Sequence, residues 1–205
     1  IEVLKKLETS EATMTARKKV LLARALWAMR MVDIGAYLLF KSPEIDGSYD
    51  LCLELARFNY ILGKTAQSSL KMKEYLEAAS STLKHCIRLA PDRPEAYILH
   101  ARIAAPYAEW YELALAFYNR FEELVSERAV GELTDCFALI DAFEFNHQLG
   151  RVGEAHKWLD RCHNLLSQSP WLGDRYAFLS LACGYRRLGE KTLYEKHLQC
   201  AWLLY

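Results

Sequence analysis

The 205-residue chain has no excess of charge of either sign: Lys and Arg total 26, and Asp and Glu total 26. A protein without a net field has no long-range attraction for nucleic acid or anionic lipid, so neither is an expected partner. Long apolar runs are missing too. Val20-Leu21-Leu22-Ala23 is followed at once by Arg24, and nothing approaches the roughly 20 apolar residues that a membrane span needs. The six cysteines, Cys52, Cys86, Cys136, Cys162, Cys183 and Cys200, stand singly with no CxxC between them, which argues against a zinc ribbon or a dithiol redox motif. They read as small buried thiols of a reducing compartment, and a cytoplasmic location is expected from that. Strand signals are nearly absent, since the one Asp46-Gly47 falls in the polar connection Lys41 to Ser48 rather than between alternating apolar residues. There is no GxSxG, no phosphate-binding Gly-rich loop and no HExxH. No cofactor, no metal and no catalytic activity are therefore expected.

What the chain has is helical periodicity. With 52% apolar and 25% charged residues it is a globular composition, able to bury a core. Leu51, Leu55, Phe58 and Leu62 fall on one helical face, as do Leu159, Cys162 and Leu166. Breaks at Lys41-Ser42-Pro43, Gly63, Pro91 to Pro94, Pro106, Gly131, Gly150, Gln168 to Pro170 and Gly189 divide it into a long N-terminal helix and eight shorter ones. At Pro91-Asp92-Arg93-Pro94 the first proline ends one helix, Asp92 is suited to cap the next, and Pro94 suits a first helical turn. Connections this short make neighbouring helices antiparallel. The breaks also recur: Leu62-Gly63, Leu149-Gly150 and Leu188-Gly189 repeat one dipeptide, the last two glycines 39 residues apart, with room before them for a further pair turning at Ala105-Pro106. A fixed period with a glycine per turn marks a stacked-repeat architecture.

Phe178-x-x-Leu181-Ala182-x-x-Tyr185, followed by Leu188-Gly189, resembles the first helix of a tetratricopeptide repeat, W-x-x-L-G-x-x-Y. Ala79-x-x-x-Leu83 with Cys86 and Pro91, and Ala155-x-x-x-Leu159 with Cys162, resemble its second helix; Tyr97, Ala101, Ala114 and Tyr118 fit more loosely. The resemblance covers about Tyr49 to Tyr205 as four hairpins. It departs from the family in its spacing, nearer 39 than 34, in Asn59 and Asn146 where an aromatic is usual, in Tyr194 for a small alanine, and in about ten extra residues between Gly63 and Ala79. The fold implied is all-α, a right-handed superhelix of antiparallel hairpins over 49–205, with residues 1–40 a long helical segment packed on the repeats.

In such repeats the first helices line a concave groove for a peptide or a partner's helix. Carried onto this chain, the resemblance points to Arg57, Tyr60, Arg102, Glu144, His147, Arg186 and Arg187 as groove residues. Four arginines on one face favour an acidic protein or peptide, because guanidinium pairs with carboxylate through two hydrogen bonds. The function implied is a non-catalytic interaction scaffold or adaptor. The alternatives are a chaperone-like assembly factor using the same groove, and a helical or regulatory part of a larger enzyme.

Three further stretches carry expectations. Glu144-x-x-His147 places a carboxylate and an imidazole on one face, but a di-iron bundle needs a second such motif and two more carboxylates. His156 and His163 are expected to face solvent. In the basic stretch Thr15 to Arg30, Leu22, Leu26 and Met29 are expected to face the repeats while the basic residues stay wet. The chain begins at Ile1 rather than methionine, so upstream sequence is expected. Its last eight residues, Leu198 to Tyr205, contain only Gln199 as a polar residue. That end is accounted for by further downstream helices, by docking back on the repeats, or by a homodimer through the C-terminal helix.

Overall fold

Stop and start signals in the chain become helix ends. A computed structural model of the protein describes residues 14–105, 107–127, 133–168 and 175–204. They form ten α-helices and no strand: α1 Ala16–Ala28, α2 Val32–Phe40, α3 Tyr49–Thr65, α4 Ser69–Leu89, α5 Pro94–Ala104, α6 Tyr111–Glu127, α7 Leu133–Gln148, α8 Val152–Gln168, α9 Arg175–Leu188 and α10 Lys191–Leu203. Two compact units divide between Ile103 and Ala104. No described helix is long and apolar enough to cross a membrane. The breaks expected at Pro106, Gly131 and Pro170 lie outside the described residues.

Ser48 caps α3 by accepting from the Leu51 amide (3.4 Å). Pro94 opens α5, but the joint before it is held differently from the expectation. Asp92 is exposed and makes no capping bond among the described residues. Arg93 holds the joint instead: its guanidinium donates to Asp50 (2.8 Å) and Glu95 (3.2 Å) and lies 4.0 Å from the centre of the Tyr49 ring. The Tyr97 hydroxyl closes the joint by donating to the Pro91 carbonyl (2.9 Å).

Three helices end in one hydrogen-bond pattern. After α7, Gly150 N–H donates to His147 O and Arg151 N–H to Asn146 O; after α9, Gly189 and Glu190 repeat it on Arg186 O and Tyr185 O. The pattern requires a left-handed residue, supplied by Gly150 (φ 71°) and Gly189 (φ 80°). The third instance corrects the expectation of one long N-terminal helix. Arg30 N–H donates to Trp27 O and Met31 N–H to Leu26 O, with Arg30 itself at φ 62°. The stretch is thus two helices with a turn that contains neither glycine nor proline. Arg30→Gly should raise the stability of the first unit by roughly 0.5–1 kcal/mol, the left-handed strain relieved less the entropy that glycine adds to the unfolded chain. Gly189→Ala should cost about as much, and urea denaturation of both variants checks the pair.

Gly63 is a second correction. It lies inside α3, which runs on to Thr65, and an added Cβ would come within 2.9 Å of Leu76 Cδ2. It serves close packing of α3 on α4, whereas Gly150 and Gly189 serve turns.

In the first unit, α1 packs on α2 and on α3, and α3 packs on α4. Val20, Ala23 and Leu26 of α1 share a core with Leu38, Leu39, Leu51, Leu55 and Phe58. Leu22 packs partly against it, but Met29 is exposed, because α1 has already ended there. Lys19 departs from the expectation of a wet basic face. It is 1% exposed, and its ammonium donates to Ser42 Oγ (3.0 Å) and Glu44 (2.8 Å), tying α1 to the connection after α2. In the second unit α7 pairs with α8 and α9 with α10, and α9 also meets α7 and α8. The small and large residues of the repeat pattern are all buried: Ala79, Leu83, Cys86, Ala155, Leu159, Cys162, Phe178, Leu181, Ala182 and Tyr185. Asn146, where the repeat pattern has an aromatic, donates its amide N–H groups to the Ala142 carbonyl (3.0 Å) and to the Tyr118 hydroxyl, while its buried Oδ1 has no hydrogen-bond partner among the described residues. Tyr118 and Trp158 in turn donate to Glu122 (2.6 and 3.3 Å). Cys183 is exposed and Cys200 half-buried, so burial holds for four of the six thiols.

Candidate functional site

The first helix of each hairpin carries the residues that the repeat pattern assigns to binding. In the first unit these helices are α1, α3 and α5. Glu54 sits on the buried face of α3 between Leu51, Leu55 and Phe58, and is 2% exposed. A carboxylate there needs charged donors. Arg24 of α1 supplies two, Nε to Oε1 (3.0 Å) and Nη2 to Oε2 (2.9 Å), and Arg57 approaches Oε2 from the next turn (3.4 Å). The hydrogen bond to Glu54 holds the Arg24 pKa above its ordinary value. Two guanidiniums thus share one carboxylate and leave a net positive charge at the surface, with Arg24 48% and Arg57 33% exposed. Tyr60 is half-buried one turn further along α3, and Arg102 is exposed on α5.

In the second unit the first helices are α7 and α9. Glu144 of α7 is ion-paired with Arg187 of α9. His147 lies beside Phe143, ring centres 5.7 Å apart. Arg186 is exposed and has no ion-pair partner among the described residues. The carboxylate of Glu144-x-x-His147 is therefore engaged in bridging α7 and α9. Among the described residues no group of three His, Cys, Asp or Glu is gathered as a metal ion would require. His163, expected in solvent, is half-buried: its Nδ1 lies 2.7 Å from His197 Nε2, and His197 stacks on Tyr185 with ring centres 5.6 Å apart.

Of the seven residues read from the sequence, Arg57 is ion-paired with Glu54 and Arg187 with Glu144, and Arg102 and Arg186 are exposed. Arg24 was missed. The one signal for it was Glu54, an acid placed among the apolar residues of the α3 core face, which had to find a cation elsewhere.

Helical hairpins with small-on-large contacts where helices cross, as at Gly35 on Phe58, Gly63 on Leu76 and Gly184 on Leu159, define a helical-hairpin solenoid. The particular type is tetratricopeptide-like. The sequence matches no protein-family model and no curated protein. The fold matches that of TTC0263, a thermophilic tetratricopeptide-repeat protein of Thermus thermophilus, at 15% identity over 91% of this chain and 90% of that one, with a TM-score of 0.65. MamA (16% identity, 89% and 93% covered, TM-score 0.48) and YrrB, described as a tetratricopeptide-repeat protein with an unusual peptide-binding site (16% identity, 96% and 90% covered, TM-score 0.47), are more distant in shape. At this identity the likeness is one of fold.

Proposed function

We propose that the protein is a non-catalytic interaction scaffold whose first-helix faces take an acidic segment of a protein partner, as an extended peptide or a helix. The observation that carries this reading is the Arg24–Glu54–Arg57 cluster. Glu54 neutralises one of the two guanidiniums, so the pair keeps the capacity to bind a second carboxylate at a partly exposed position. Arg102 and Arg186 add exposed positive charge on the same helix type. The tetratricopeptide-like fold supports the reading, since stacked hairpins present a long face made of side chains from several helices.

The test uses Arg102 and Arg186, which are exposed on the first helices of their hairpins. Arg102→Glu with Arg186→Glu should lower capture of partner from lysate at least about tenfold, a loss of about 1.4 kcal/mol, while helix content by circular dichroism stays the same. Capture by the native protein should weaken as salt rises, given a screening length of about 8 Å at physiological ionic strength. Equal capture by both proteins, insensitive to salt, would remove the acidic-partner reading.

A further inference from the structure

A second surface lies on the opposite helix type of the first unit. α2 and α4 both flank α3, and between them is an open cleft of about 840 Å³. Its floor is Cys52, Leu55 and Leu62 of α3, and its walls carry the rings of Tyr37 and Phe40 from α2 and Tyr75 from α4. The cleft follows from a sequence anomaly. The residues in excess of the repeat pattern between Gly63 and Ala79 form the N-terminal turns of the 21-residue α4, and these supply Glu74, Tyr75 and Ala78 to one wall.

The chemistry of the rim selects the occupant. Asp33, Asp46 and Glu74 line the cleft, and none has an ion-pair partner among the described residues; the permanent cations near them are Arg88 in the lining and Lys41 at the aromatic wall, with His85 bonded to the Asp46 carbonyl (2.8 Å). The aromatic wall already receives a cation from the chain itself, since the Lys41 ammonium lies 5.8 Å from the ring centres of both Tyr37 and Phe40. Phe40 is 64% exposed, so an apolar contact is available at the mouth. From Cys52 to Leu62 the floor is about 15 Å long, or roughly three helical turns. The geometry points to this cleft as the docking site for a short basic amphipathic helix of a partner protein. Its apolar stripe covers Leu62 and the aromatic wall, and its Lys or Arg side chains meet Asp33, Asp46 and Glu74. This site is independent of the acidic-partner face, and the charge it selects is opposite.

A fluorescein-labelled 14-residue amphipathic peptide of Leu and Lys is the probe, with a Leu and Glu counterpart and spermine as comparators. Fluorescence anisotropy should show saturable one-to-one binding of the Leu/Lys peptide and none of the Leu/Glu peptide. Ala78 is exposed on the cleft wall, so Ala78→Trp fills the cleft without entering the core and should weaken binding at least about tenfold. Asp33→Asn with Glu74→Gln should weaken it several-fold and flatten its salt dependence. Arg102→Glu with Arg186→Glu should leave it unchanged, which separates this site from the face proposed above. The proposal is overturned by no binding of the Leu/Lys peptide, or by undiminished binding to the Ala78→Trp protein. Spermine binding that Ala78→Trp abolishes, without peptide binding, would make the cleft a site for small organic cations and overturn it as well.

Discussion

Ala182→Leu is expected to destabilise the second unit by about 1–3 kcal/mol or more, because extra methylenes in a packed helix contact force neighbouring side chains off their rotamers. Ala182 is 1% exposed on α9, the helix that meets α7, α8 and α10 together. Two residues on, Gly184 shows how close the approach is: an added Cβ would lie 2.8 and 2.9 Å from the Leu159 methyls and 3.2 Å from Phe143. Gly184 points to a different side of α9 and shows only that the helix is tightly packed there; at 182 itself, a leucine has to displace the neighbours that bury the alanine. Cys183→Leu is the control, since Cys183 adjoins the same site but faces solvent, and its effect should stay within about 0.5 kcal/mol. Urea denaturation of both variants gives the comparison. If Ala182→Leu costs no more than Cys183→Leu, the face of α9 that packs inward has been misassigned.

Most of the fold was legible because its determinants are local. A left-handed glycine after a helix, a proline in a first turn, and alanine opposite leucine or tyrosine are each read from a few neighbouring residues. The N-terminal hairpin was not legible, because Met29-Arg30-Met31 turns the chain with a strained arginine and no conventional breaker. Gly63 misled for the complementary reason: Leu62-Gly63 looks like the turn dipeptide, and only the position of Leu76 shows that the glycine is there for packing.

The resemblance assigned Arg57, Arg102, Arg186 and Arg187 to first helices, and they do lie on α3, α5 and α9, but their pairing was not legible: it depends on acids far away in sequence. Arg24 and Glu54 are 30 positions apart, and Arg187 and Glu144 are 43 apart. No local rule connects such residues. The cleft between α2 and α4 was visible only as surplus length between Gly63 and Ala79. Excess residues mark where a repeat is irregular; the charges and rings they bring together exist only once the helices pack.

Stability is expected to be lost as pH falls from about 6.5 to 4, well before the carboxylates titrate in bulk. Two buried imidazoles are responsible. His100 on α5 is fully buried with its Nε2 2.7 Å from Ser80 Oγ, and burial, helped by Lys84, holds its pKa down to about 4. His197 on α10 is 2% exposed, stacked on Tyr185 and near-parallel to Phe178; burial, then His163 and Lys196, lower it to about 4 as well. The short contact of His163 Nδ1 with His197 Nε2 needs one donor and one acceptor, so a doubly protonated pair would lose the hydrogen bond and gain repulsion. Above the unfolded pKa of 6.5 these groups are neutral in both states and contribute nothing to the pH dependence. Below it the unfolded chain binds protons that the folded one refuses, so stability declines until the folded pKa is reached. Each histidine can account for up to about 3 kcal/mol over that interval, one in each unit. Denaturation by urea at pH 7.5, 6.5, 5.5 and 4.5 measures the slope. His100→Gln with His197→Phe, which keeps an aromatic ring against Tyr185, should remove most of it. A native profile that is flat down to pH 5, or a slope unchanged in the double variant, would mean that the imidazoles protonate in place and the buried pair tolerates charge.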